Sequence, residues 1–179
     1  MIFIIKRIIM NRNYADEKET HDYELLCDFN SYLKLNNLGR MIKDYSSDAS
    51  GVTTDGRILN IELKSRNATL TKDMKVMGYT KEGRVYTVDT LYIESHKIGE
   101  IYTDYFVTGM IPMYINFLEG GYVVVYNLLH IKRMPKRVTR KIWSELYQAL
   151  ELAKREELSL EDAWIYKKED NVYKLIHKP

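Results

Sequence analysis

Asp48, Glu62 and Lys64 are the residues whose types and spacing suggest chemistry first. Apolar and polar residues alternate through Ile58-Leu59-Asn60-Ile61-Glu62-Leu63-Lys64, which predicts a strand. Leu59, Ile61 and Leu63 point one way, and Asn60, Glu62 and Lys64 the other. Glu62 and Lys64 then stand roughly 6.6 Å apart on one face. Asp48 joins them by hairpin arithmetic. If Thr54-Asp55-Gly56 is a three-residue loop with Gly56 left-handed, Thr53 faces Arg57 and Asp48 faces Glu62. A two-residue Asp55-Gly56 loop sets Asp48 opposite Leu63, pointing away. Two acids about 5 Å apart at Cβ repel and raise one another's pKa. A hard divalent cation relieves that cost by taking carboxylate oxygens, and the Leu63 carbonyl is a nearby oxygen donor. Lys64 is then in reach of a water held there and of negative charge growing on a phosphate. The other reading of these three residues is solvated hairpin surface. The apolar flanks argue for a central strand.

A second cluster is basic. Lys132, Arg133, Lys136, Arg137, Arg140 and Lys141 place six positive charges within ten residues, with no acid among them. Such a run neutralises nucleic-acid phosphates, or is ordinary solvated surface. Tyr45, Tyr79 and Tyr86 are candidates for stacking on exposed bases, with nothing to select them among 15 tyrosines. His21 beside Asp22 reads as a solvated helix terminus. Glu94 and His96 share a strand face, but lack the third soft ligand that zinc would need.

The elements that position these residues follow from periodicity. Met1–Met10 predicts a buried strand or docking segment, its charges lying inside the apolar run. Asp22–Leu35 predicts a helix, with Leu25, Leu26, Phe29, Tyr32 and Leu33 as its stripe and Gly39 past its end. Met41–Tyr45 reads as a short strand and Thr69–Val76 as a helical connection. Val85–His96 reads as one or two strands, and Ile98–Phe106 as a short helix. Met113–Phe117 and Tyr122–Leu128 pair around Glu119-Gly120-Gly121. Thr139–Arg155 predicts an amphipathic helix, with Ile142, Leu146, Ala149, Leu150, Ala153 and Trp143 on its apolar face. Ala163–Tyr166 and Val172–Ile176 are terminal strands. The sum is an α+β fold, an α/β sandwich with a mixed central sheet flanked by helices.

The chain has 179 residues, 45% hydrophobic and 29% charged, which suits one ordinary domain and excludes a disordered or low-complexity chain. Its one cysteine, Cys27, excludes an internal disulfide framework and a multi-cysteine zinc knot. With 27 Lys and Arg against 25 Asp and Glu the net charge is only +2, so a polyanionic partner must be met locally. No window approaches the roughly 20 apolar residues of a membrane span. No membrane partner is expected, and a reducing, cytoplasmic location is.

The stretch from Asp48 to Arg66 resembles the core motif of the PD-(D/E)XK nuclease superfamily, with Ser47 where many members carry proline. Leu91-Tyr-Ile-Glu-Ser-His-Lys97 and Pro112-Met-Tyr-Ile-Asn-Phe-Leu118 are similar to small phage-borne members, which implies a host cytoplasm. The resemblance implies one restriction-endonuclease-like domain over 1–179. Its core spans about 17–128, followed by a helical, basic C-terminal extension. It implies DNA cleavage with Mg²⁺ or Mn²⁺, held by Asp48, Glu62 and the Leu63 carbonyl, with Lys64 catalytic. It implies a further helix acid: stripe phase favours Asp22, and the spacing to Gly39 favours Glu24. It also implies a DNA contact from Lys97 alongside the basic run. A double-strand cut needs two such sites, so a homodimer is expected. An inactive nuclease-fold binding module and a structural or interaction protein stay open beside it.

Overall fold

The computed structural model describes the backbone of residues 2–41, 47–80, 82–144 and 149–179, and the side chains within 16–139 and 152–179. The expected strand at 41–45 falls almost wholly outside the described residues. Ile2–Leu33 is one helix, α1. Its first turns are therefore helical, where the apolar run Met1–Met10 suggested a strand. The helix stops where Lys34 turns left-handed (φ 54). Asn30 then both donates to and accepts from the Leu35 backbone, at 3.2 and 2.8 Å. Gly39 is not the helix cap but part of strand β1, Asn36–Arg40.

β1, β2 (Ala49–Val52) and β3 (Ile58–Arg66) form an antiparallel meander. Four strands lie between β3 and the second helix: β4 (Ala68–Leu70), β5 (Val76–Tyr79) and β6 (Val85–Val88), which form a small sheet of their own, and β7 (Thr90–Glu94). The expected helical connection at 69–76 is thus a hairpin. Helix α2, Ser95–Thr108, follows and closes on left-handed Gly109. It leads into β8 (Ile111–Leu118), which runs parallel to β3, and on to β9 (Tyr122–Asn127).

The segment expected as an amphipathic helix is instead a long antiparallel hairpin, β10 (Lys136–Ser144) and β11 (Ala149–Ser159). β11 pairs in turn with β7. The C-terminal extension is therefore β rather than helical. β12 (Trp164–Glu169) and β13 (Val172–His177) return to the main sheet, so its core runs beyond residue 128. The order of that seven-stranded sheet is β1-β2-β3-β8-β9-β12-β13, and β3–β8 is its parallel pair. The fold is α+β with a mixed, largely antiparallel central sheet. No helix among the described residues is long and apolar enough to cross a membrane.

Alternation along the strands sorts two cores. Leu59, Ile61, Leu63, Ile115 and Phe117 pack with Leu26 and Phe29 of α1. Tyr114, Leu118, Val124 and Tyr126 pack on the other side with Ile101 of α2 and Ile93 of β7. Glu62 and Lys64 therefore look away from the α1 core and towards α2 and β7.

Three hairpin loops repeat one construction. In Thr53–Arg57, Thr71–Lys75 and Thr80–Arg84 the first amide donates to the last carbonyl, at 2.8 to 2.9 Å. In each, the last amide also reaches the threonine hydroxyl. The residue before the last is left-handed in all three: Gly56 (φ 86), Met74 (φ 56) and Gly83 (φ 76).

Candidate metal and phosphate site

The β2–β3 hairpin has the three-residue loop that sets Asp48 against Glu62. Ala49 pairs with Ile61, and the Asp48 amide donates to the Ile61 carbonyl at 3.1 Å. Beyond that point the ladder stops, and the Asp48 carboxylate accepts from the Leu63 amide at 2.7 Å. In a strand the N–H and C=O of one residue point the same way. The Leu63 carbonyl therefore faces the side where Asp48 sits, as an oxygen donor to a shared cation must.

Glu62 is 7% exposed, and its Oε2 is buried with no hydrogen-bond partner. Burial, and then the Asp48 charge, push the Glu62 carboxyl up to about 8. Burial also raises Asp48, against the Leu63 amide, Lys97 and Lys64. Lys97 reaches in from the first turn of α2, its Nζ 3.6 Å from Glu62 Oε2.

The aim of Lys97 is set by helix phase. Lys97, Ile101 and Asp104 recur at four and three residues and share one face. Ile101 is fully buried, and the Asp104 carboxylate accepts from the Asn60 side-chain Nδ2 at 3.0 Å. Asn60 and Glu62 are neighbours on the same face of β3, so α2 is tied to the strand at two successive positions.

Lys64 Nζ lies 3.9 Å from Glu94 Oε1. Burial would raise the Glu94 carboxyl, but Lys64, the backbone amide and two arginines outweigh it and hold it low. Glu94 closes β7 and caps the start of α2, while His96 is exposed and takes no part.

Helix α1 passes close by. Asp22 is 6% exposed with a buried, unpartnered Oδ1, as its stripe phase required. Glu24 is exposed on a shallow groove with His21. Among the described residues no three His, Cys, Asp or Glu side chains gather as a ready-made cage. Glu19, unremarked in the sequence, is near enough to raise Asp48, and is itself paired with Arg40 at 3.0 Å. Burial, and then Lys64, lower the pKa of Lys18. The signal for Lys18 was its place one turn before Asp22.

Arg66 was also missed, although it continues the Asn60, Glu62, Lys64 alternation by one step. Its guanidinium donates to Asn116 Oδ1 at 2.7 Å, to the Tyr92 carbonyl at 2.5 Å and to the Tyr114 hydroxyl at 2.6 Å.

The basic run is not one patch. Arg133 is paired with Glu161, and its amide donates to Asp162. Arg137 Nε meets buried Glu156 at 2.7 Å. Lys132 and Lys136 are exposed. Arg140 and Lys141 hold strand positions opposite Ala153 and Leu152, and their side chains, like that of Trp143, fall outside the described residues. Of the tyrosines, Tyr79 is exposed, Tyr86 lines a cleft, and Tyr45 is outside the described residues.

No family model, curated protein or solved structure matches the chain.

Proposed function

We propose that the chain is a divalent-metal-dependent deoxyribonuclease of the PD-(D/E)XK kind. The observation that carries this reading is the buried Glu62 carboxylate, its Oε2 lacking a hydrogen-bond partner, set against Asp48 at the end of the β2–β3 ladder. The order α1-β1-β2-β3, then α2-β8 after the inserted strands β4 to β7, with β3 parallel to β8, supports a restriction-endonuclease-like core.

The donor set is all oxygen: two carboxylates and the outward carbonyl of Leu63. That chemistry fits Mg²⁺ or Mn²⁺. When bound, such a cation supplies Lewis-acid polarisation of a phosphate oxygen and acidifies a water. The remaining work belongs to side chains. Lys64 holds and orients the attacking water and offsets the negative charge growing on the phosphate. Glu94, 3.9 Å from Lys64, keeps that ammonium aimed along the face of β3. Lys97 faces the same carboxylates from α2 and is placed to meet a DNA phosphate. Water is the nucleophile, so no covalent enzyme intermediate forms.

The test is incubation of the protein with linear, nicked, branched and circular DNA plus Mg²⁺ or Mn²⁺. Cleavage should need the metal, and should fall at least about a hundredfold in Lys64→Ala and in Glu62→Gln. Cutting that survives both substitutions ends this reading. One observation favours a metal-free binding module instead: the Lys97 ammonium already places positive charge 3.6 Å from Glu62. Calorimetric titration with Mn²⁺ separates the two. Binding abolished by Asp48→Asn supports the enzyme, and no binding at millimolar metal supports the module.

A further inference from the structure

A half-open cleft of ≈ 360 Å³ lies beside the site, between the small β4–β6 sheet and the β10–β11 hairpin. Val76, Val88 and Val138 are among its apolar walls. Tyr86 forms its outer lip, held there because its ring lies over Gly78. A Cβ on Gly78 would stand 2.5 Å from the Tyr86 hydroxyl, so a larger residue would displace the ring from this position.

The polar side of the cleft is cationic. Tyr92 carries two guanidinium groups over its ring, Arg66 at 4.1 Å and Arg155 at 3.8 Å. Among the described lining residues Glu157 is the one carboxylate, and Glu94 just outside the lining also feels the two arginine charges. Arg66 is engaged by Asn116, Tyr92 and Tyr114. Arg155 Nε, by contrast, is buried and has no hydrogen-bond partner. A buried donor without an acceptor carries a penalty that an anionic ligand would remove.

The cleft connects to the proposed chemistry. Arg155 pairs in register with Glu94, the partner of Lys64. Arg66 follows Lys64 on the same face of β3 by one strand period, roughly 6.6 Å.

We infer that this cleft receives one unpaired nucleotide of the substrate strand, its base against the valine walls and its phosphate at Arg155. The inference rests on the deoxyribonuclease reading and narrows its substrate. The space takes a single nucleotide and no base pair, so DNA with an unpaired nucleotide beside the cut is favoured over continuous duplex.

The test uses the full-length, metal-free chain and thymidine 5′-monophosphate, with thymidine and inorganic phosphate as separate arms, followed by amide resonance shifts. The monophosphate should shift the amides of Thr90, Tyr92 and Arg155, and bind at least about tenfold more tightly than either fragment. Arg155→Gln removes a charge-assisted hydrogen bond and should weaken binding about tenfold or more. Val138→Trp fills the cleft and should do the same while the melting curve stays cooperative. Inorganic phosphate binding as tightly as the nucleotide overturns the proposal, as do unmoved cleft amides or undiminished binding by folded Val138→Trp. Mn²⁺ titration of the same samples reads the Asp48–Glu62 pair independently. Mn²⁺ bound with cleft amides silent sinks the cleft alone. Cleft amides shifted with no Mn²⁺ bound sink the metal site alone.

Discussion

Glu62 couples the site to stability through its proton. Its carboxyl sits at about 8 in the folded chain against an ordinary 4.5, so between those two pH values the native state holds a proton there that the unfolded chain has released. The stability this contributes is fully present below about pH 4.5 and is lost as pH rises through about 8. Asp48 is raised as well and acts in the same direction. The metal-free protein should therefore lose melting temperature between about pH 5 and about pH 9, and Glu62→Gln should flatten the decline. Mn²⁺ competes with that proton, so it should raise the melting temperature more at about pH 8.5 than at about pH 5.5. Calorimetric scans with and without Mn²⁺ read both effects. A pH-independent melting temperature in the unsubstituted chain would refute the coupling.

Hairpins decided what the sequence could announce. The Asp48–Glu62 pairing was legible because Gly56 marks the left-handed corner and the flanking strands alternate. The equivalent corner at 71–75 carries Met74 at φ 56. Without a glycine there, Thr69–Val76 offered no turn signal and read as helix. The β10–β11 hairpin was hidden for another reason. The strand that β11 pairs with, β7, lies far upstream, and Leu152 is apolar yet 70% exposed, so the alternation that betrays a half-buried strand is blurred. The four-residue recurrence of Ile142, Leu146 and Leu150 satisfied a helical pattern that non-local pairing overrode. The position of Gly56 can be checked directly. A Cβ there meets nothing within 4 Å, so Gly56→Ala tests backbone conformation alone. It should cost about 1 to 2 kcal/mol and lower the melting temperature by several degrees in a thermal scan. An unchanged melting temperature would mean that the corner does not require glycine.

At the scale of the molecule, a net charge of +2 conceals how the positive charges are employed. A strand alternates its faces, so Lys136 and Arg137 cannot serve one surface together. Arg137 reaches Glu156, which is 6% exposed and also accepts from the Ser95 hydroxyl at 3.1 Å. That pair ties the hairpin to the start of α2. Lys136 is exposed on the opposite face. The two substitutions should therefore behave differently. Lys136→Gln should weaken DNA binding across sequences and reduce the salt slope by about one, with the melting temperature unchanged. Arg137→Gln should lower the melting temperature instead, because a buried carboxylate loses a partner. Fluorescence anisotropy at several salt concentrations, with melting curves on the same samples, separates the outcomes. Equal effects of the two on DNA affinity, in folded protein, would refute the division of labour.

The short reach of the β2–β3 hairpin has a kinetic consequence. The bond between Asp48 and the Leu63 amide spans 15 residues, whereas Ser95 and Glu156 meet across 61. Loop closure favours the shorter connection, and non-local pairing with β11 comes slowly. During folding the two acids are thus drawn together before α2 and β7 have brought Lys97 and Glu94 to them. For that interval the hairpin is a pair of like charges with only its own Lys64 ammonium to offset them. A cation in the surrounding solution would then act on the route to the native state as well as on the finished site, steadying a nucleus that the chain alone assembles against its own repulsion.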